Sequence, residues 1–246
     1  MTKVHDPTEM WTHLFATPLG SLSMTLVAYL IAQIVYAKSG FSPLANPVLI
    51  SIVILVTLLE ASHVAYVTYF QGAQLIHFLL APATVALALP LYRQWPRLRV
   101  AAFPLIGGLV AGSLTAIISA VVTAHMLGAS YETVASLAPK SATAPIAMTI
   151  ASEIGGLPSL TAVLAISAGI FGAVFATTIL TFLRITEPEV RGFALGVASH
   201  GIGTARAFQV SEQMGAFAGL GMSINGVFTA IVVPLLMPWL TSSLLH

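Results

Sequence analysis

Residues 100–127 read VAAFPLIGGLVAGSLTAIISAVVTAHML, twenty-eight positions without a single Lys, Arg, Asp or Glu. A helix that crosses a bilayer needs about 20 mostly apolar residues, so this stretch predicts a membrane span. Similar runs follow on either side of it. Residues 18–37 form the first, closed by Lys38 and the turn-rich 39–43; residues 47–59 are apolar but short and end at Glu60. Residues 75–92 are interrupted by Pro82 and Pro90, and 160–183 is another clear span. Residues 227–240 form the apolar half of a last helix expected to start near Ala216.

Composition agrees with that reading. Of 246 residues, 57% are hydrophobic and only 7% charged, with a mean hydropathy of +0.96. A soluble domain carries about 25% charged residues to cover its surface, so much of this surface is expected to face lipid. The formal charge of +1 provides no field for gathering nucleic acid. The absence of cysteine excludes disulfides, thiolate metal sites and a Cys nucleophile. Residues 1–17 lack a basic region ahead of an apolar one, so they predict a polar interfacial lead-in with Trp11 as a headgroup anchor, not a cleaved signal. The whole chain, 1–246, reads as one integral-membrane domain. Its fold is expected to be all-α and polytopic, with about seven or eight membrane segments.

Gly107, Gly108, Gly112, Gly169 and Gly172 mark helix faces for close packing. Those faces would serve a homodimer or packing within the chain. Faint internal echoes exist as well. Residues 80–82 and 137–139 both read Leu-Ala-Pro, and Trp95-Pro96 and Leu157-Pro158 each lead into a Gly-containing span. Such repeats underlie many transporter folds.

Charge asymmetry sets a topology. The turn 93–99 carries three arginines and the loop 184–191 carries two; the positive-inside rule assigns both to the cytoplasm. The segment 128–158 must then begin and end outside, although 141–151 is apolar enough to enter the membrane. A re-entrant or broken helix solves this. After residue 191 the same argument applies to 192–199 and the run SHGIGTAR at 199–206. Irregular backbone at membrane depth is tolerated only where protein or water surrounds it. Two interrupted segments entering from opposite faces would resemble an inverted-repeat transporter.

The scarce polar groups gather in those two segments. In the first, Pro145 breaks a preceding turn yet suits the first turn of a new half-helix. The free N–H groups of such a start favour an anion, with hydroxyls from Ser141 and Thr143 and a point charge from Lys140. A capped helix with a proline kink is the plainer alternative. In the second, Arg206 is an ionisable group in an apolar setting, and its planar fork suits a carboxylate. Gly201 and Gly203 permit close backbone approach, Ser199 and Thr204 add hydroxyls, and His200 can donate, accept or shuttle a proton. The alternative is that Arg206 snorkels to an interface or pairs with Glu212. Glu153 and Glu212 join His200 as proton-coupling candidates, since burial raises a carboxyl pKa; helix-end placement is the alternative for both. His5, His13, His63, His77, His125 and His246 have no metal-ligand spacing, so no metal is expected. No Ser-His-Asp order, phosphate loop or dinucleotide fingerprint is present, so neither enzyme activity nor a cofactor is expected. Movement of a small solute is the leading expectation.

Residues 140–147 (KSATAPIA), 154–162 (IGGLPSLTA), 191–196 (RGFALG), 199–206 (SHGIGTAR) and 216–222 (AFAGLGM) resemble the signature of the LrgB/CidB family, over about residues 137–236. The stretch 152–154 (SEI) departs from relatives that carry a further polar residue, which weakens a role for Glu153. The resemblance implies a multi-pass protein of the bacterial cytoplasmic membrane beside a small holin-like LrgA/CidA-type partner. It implies either antiholin-like regulation of murein hydrolase export and autolysis, or transport of glycolate, glycerate, pyruvate or lactate. The second agrees with a carboxylate site around Arg206.

Overall fold

The computed structural model describes residue 15 and residues 17–86 and 88–244; the lead-in with Trp11, His5 and His13, and His246, lie outside them. The described residues are all-helical, without strands. The chain divides into two compact units, Met1–Ala86 and Leu87–His246.

In the first unit, α1 (Pro18–Lys38) starts at a proline in the first turn, and the Thr17 hydroxyl accepts a hydrogen bond from the Gly20 N–H. These features define a helix start because the first N–H groups have no partner within the helix. A short 3-10 turn, Pro43–Ala45, precedes α2 (Pro47–Ala61), whose buried Asn46 caps Val48 and Leu49 through Oδ1. The next helix, α3, runs over Tyr66–Ala86. It begins nine positions before the expected 75–92 span, because Thr68, Gln71 and Gln74 lower hydropathy without breaking helix. Ser21 Oγ donates to the carbonyls of Phe15 and Tyr69, and Thr25 bonds the Tyr69 hydroxyl at 2.6 Å, fastening α1 to α3.

The second unit opens with α4 (Ala88–Arg93) and α5 (Trp95–Met126). At 32 residues, α5 is about 48 Å long at 1.5 Å per residue, longer than the roughly 30 Å hydrocarbon core. There follow α6 (Tyr131–Leu137), α7 (Ala144–Glu153), α8 (Pro158–Phe182), α9 (Pro188–Val210) and α10 (Glu212–Leu244). Among the described residues, four helices are long and apolar enough to cross a membrane: α1, α5, α8, and α10 over Glu212–Leu240. The last begins at Glu212, one turn before its expected start near Ala216.

Contacts at the helix ends give the path of the chain. Arg93 pairs with Glu212 at 3.1 Å and Arg97 with Glu189 at 3.7 Å, and Gln213 bonds Glu189. The starts of α5, α9 and α10 therefore share one charged end. Arg191 Nη2 donates to the Thr177 carbonyl and the Thr181 hydroxyl, bringing the last turns of α8 to the same end. Since both the start of α9 and the start of α10 lie there, α9 must travel inward and return. It does so at Ser199 (φ −131°, ψ 15°) and His200 (φ 41°, ψ −133°), where the backbone leaves helical geometry. The outgoing and returning limbs pack together, with Leu195 and Ala207 in one apolar cluster. A Cβ on Gly203 would lie 2.7 Å from the Leu195 carbonyl, eight residues back, a distance possible only in a hairpin.

The other end holds a second hairpin. The Tyr131 hydroxyl donates to the Ile154 carbonyl at 2.8 Å, and Ser136 Oγ accepts from the Leu157 N–H at 2.8 Å. The start of α6 thus lies beside the end of α7, and the tip of this hairpin is the non-helical stretch 138–143. Ile117 and Val121 of α5 pack there with Val134, Ile150, Val233 and Met237. At the charged end Leu98 and Leu109 pack with Phe193, Val197 and Phe217. Each hairpin follows a long helix, α5 or α8, and each of those begins with proline in its first turn. The Trp95-Pro96 and Leu157-Pro158 echo marks these equivalent starts. The Leu-Ala-Pro echo instead pairs the interior of α3 with a hairpin tip.

Candidate functional site where two hairpin tips meet

The two tips converge on Asn225, a 1% exposed side chain on α10. Its Nδ2 donates to the Ser141 carbonyl at 3.0 Å and to the Val197 carbonyl at 3.1 Å, one from each hairpin. Its Oδ1 accepts from Ser113 Oγ of α5 at 2.6 Å. The Val197 carbonyl needs such a partner, because the break at Ser199–His200 interrupts the helical bonding that would otherwise satisfy it. One amide therefore joins both interruptions and the long helix before them.

His200 forms the tip of the second hairpin. A φ of 41° with ψ of −133° is backbone territory suited to glycine, and a side chain there costs about 1–3 kcal/mol. The imidazole offsets part of that through Nε2, 2.8 Å from the Ala165 carbonyl of α8. Glycine makes the approach possible. A Cβ on Gly169 would lie 2.8 Å from the His200 ring, and one on Gly172 would lie 1.6 Å from Ser199 Oγ. These two glycines form the floor on which the tip rests. Ser199 is 1% exposed, and its hydroxyl has no hydrogen-bond partner among the described residues. Thr204 Oγ1 donates to the His200 carbonyl at 2.8 Å, binding the returning limb to the tip. Ala142 and Ala147 of the first hairpin pack on Ala165, whose carbonyl faces His200.

Of the sequence candidates, Ser141, Ser199, His200 and Thr204 lie at or beside this meeting point and are buried. Thr143 stands at the cap position of α7 without a side-chain capping bond, and Pro145 lies exposed in its first turn. Gly201 and Gly203 open the returning limb, and Gly203 is buried against Ser199 and Leu195. Arg206 follows on that limb, 8% exposed, with Nη1 donating to Gln209 Oε1 at 3.2 Å. The carboxylates lie elsewhere. Glu153 is exposed at the end of α7, and Glu212 is exposed at the charged end, where it pairs with Arg93 and not with Arg206.

Asn225 and Ser113 were not singled out by the sequence reading. The available signal was a lone amide four residues from Thr229 inside a long apolar helix; Thr229 Oγ1 lies 3.5 Å from Asn225 Oδ1. In a membrane helix such a group finds an interhelical partner.

Long apolar helices whose surfaces are largely uncharged, with buried polar groups gathered where two hairpin tips meet, define a multi-pass α-helical membrane protein. The chain belongs to the LrgB-like family, which it matches over residues 25–239. It is 36% identical to the uncharacterized protein YxaC of Bacillus subtilis (strain 168), over 88% of this chain and 94% of that one. It is 36% identical to the uncharacterized protein YwbG of the same strain, over 89% and 97%. It is 30% identical to the antiholin-like protein LrgB of Bacillus cereus (strain B4264), over 91% and 97%. No solved structure matches the chain.

Proposed function

We propose that the two hairpins are re-entrant, dipping into the bilayer from opposite faces, and that small monocarboxylates cross where their tips meet. The observation that supports this is the Asn225 amide holding a carbonyl from each tip. Paired discontinuous segments around one midplane point are how inverted-repeat transporters build a substrate site. Ser199, with its unpartnered hydroxyl, and the α7 helix start offer donors to a carboxylate. Arg206 supplies the charge that favours one. Glycolate, glycerate, pyruvate and lactate are the substrate class. His200, Glu153 and Glu212 are the proton-coupling candidates, with His200 the one at the meeting point.

A second reading draws more direct support from the relatives. Several are named antiholin-like protein LrgB, which favours an antiholin-like regulator of murein hydrolase export working with an LrgA/CidA-type partner in a bacterial cytoplasmic membrane. A homodimer fits either role. Uptake of labelled glycolate and pyruvate into proteoliposomes separates the readings. Uptake by the chain alone, crippled by Arg206→Lys in a protein that still folds, supports transport. No uptake by a folded sample, with or without the partner, combined with altered hydrolase release on expression, leaves the regulatory reading standing alone.

A further inference from the structure

One cation stands apart from the meeting point. Lys140 lies in the tip of the first hairpin, yet it lines a separate cavity of about 430 Å³ with Ser119 and Thr123 of α5 and with Leu127, Ala129 and Leu137. Its Nζ lies 3.4 Å from the Ser141 hydroxyl. Among the described residues no carboxylate pairs with it, for the ion pairs Arg93–Glu212 and Arg97–Glu189 are at the opposite end. Neither Glu132 nor Glu153, on the helices flanking this tip, reaches it. An ammonium has three donors, and one neighbouring hydroxyl leaves its charge uncompensated in a largely apolar surrounding, an arrangement that costs free energy unless an anion completes it.

The remaining walls suit such an anion. Ser119 and Thr123 are one helical turn apart on the same face of α5 and exposed, so their hydroxyls border the opening. Leu127, Ala129 and Leu137 supply apolar surface for a short carbon chain. The volume lies within the roughly 300–1,000 Å³ of small-molecule sites. Leu127 and Ala129 lie just past the end of α5 and Ser141 is at the tip. The cavity thus borders the end of α5 and reaches Lys140, the residue next in sequence to Ser141, whose carbonyl Asn225 holds.

We propose that the Lys140 cavity is an anion-binding vestibule, taking a small organic acid or a lipid headgroup by its carboxylate or phosphate oxygens. It rests on the transport reading only for the choice of a carboxylate as first ligand. The test is calorimetric titration of pyruvate and glycolate into the full chain in phosphatidylcholine nanodiscs. A parallel arm uses native mass spectrometry with phosphatidylglycerol. Saturable binding of either ligand should fall about tenfold or more in Lys140→Gln, consistent with loss of a charge-assisted contact, and survive in Lys140→Arg. Ser119→Leu, an exposed substitution that narrows the cavity and leaves the lysine in place, should weaken binding alike. A carboxylate response identifies a solute vestibule, and a phosphatidylglycerol response alone identifies a lipid site. Binding of both ligands unchanged in Lys140→Gln and Ser119→Leu, or absent from the folded parent chain, overturns the inference. Uptake by the parent chain together with ligand binding unchanged in both vestibule variants overturns this inference alone. Lys140-dependent binding without any uptake overturns the transport reading alone.

Discussion

The contact between Ser199 and the glycine floor of α8 makes a graded prediction. In Gly172→Ala the new methyl would lie 1.6 Å from Ser199 Oγ and 2.8 Å from Ser199 Cβ. Carbon atoms in contact lie about 3.5–4.0 Å apart. Rotating the hydroxyl away removes the first clash but leaves the second, so the hairpin tip must retreat by about 1 Å. Overpacking of this kind costs about 1–3 kcal/mol. For a chain of this size each kcal/mol lowers the melting temperature by about 2–4 °C, so a loss of roughly 2–12 °C is expected. Ser199→Ala in the Gly172→Ala background leaves the Cβ clash and should restore only part of the loss. Ser199→Gly removes both clashes, because Ser199 Cα is 3.9 Å away, and should restore most of it. Thermal unfolding of the detergent-purified chain compares these three variants with the parent. Parental stability in Gly172→Ala, or Ser199→Gly rescuing no better than Ser199→Ala, would refute the packing of the tip on α8.

Asn225→Leu keeps volume but strands two carbonyls and the Ser113 hydroxyl. At about 1–3 kcal/mol per buried unsatisfied group, tempered by the weaker values found inside membranes, the cost should be about 2–4 kcal/mol, read as a lower melting temperature. His200→Gly should be more stable than His200→Ala by about 1 kcal/mol, reversing the usual helix order, because only the glycine relieves the positive φ; equal melting temperatures would remove the strain. At the start of α9, backbone hydrogen bonds at Glu187 itself and at Thr186 hold the exposed Glu187 carboxyl below its usual range. Its stabilisation is present above the unfolded-state pKa and lost as pH falls through the lowered folded value. Glu187→Gln should therefore flatten that part of the acid-unfolding curve, and an unchanged curve would contradict the hydrogen-bonding account.

Helix starts were legible where proline and a capping side chain coincide, as at Thr17-Pro18 and Asn46-Pro47, since both act locally. The two interruptions were legible because polar and helix-breaking residues cluster in an otherwise apolar chain, a lysine, hydroxyls and two prolines in 139–145 and a histidine, an arginine and two glycines in 199–206. The start of α3 at Tyr66 was not, because hydropathy weighs glutamine and threonine against a span whereas helical backbone tolerates them. Asn225 was hidden for a different reason. A single amide is averaged away over a 33-residue apolar helix, and its importance comes from carbonyls far away in sequence that only the fold brings to it. Gly169 and Gly172 read as packing residues; what they pack against, the ring of His200 and the hydroxyl of Ser199, depends on a backbone break that hydropathy does not encode.

The claim that two hairpins enter from opposite faces is tested most directly by cysteine accessibility, for the chain has no cysteine of its own. Glu132 and Glu153 flank the first hairpin, Glu187 and Glu212 flank the second, and all four are exposed. Single Glu132→Cys, Glu153→Cys, Glu187→Cys and Glu212→Cys variants in oriented membranes would be treated with a membrane-impermeant maleimide. Labelling of positions 132 and 153 from one face, and of 187 and 212 from the other, is the expected result. Labelling of 132 and 153 from opposite faces, or of 187 and 212 from opposite faces, would show a complete crossing and contradict the account.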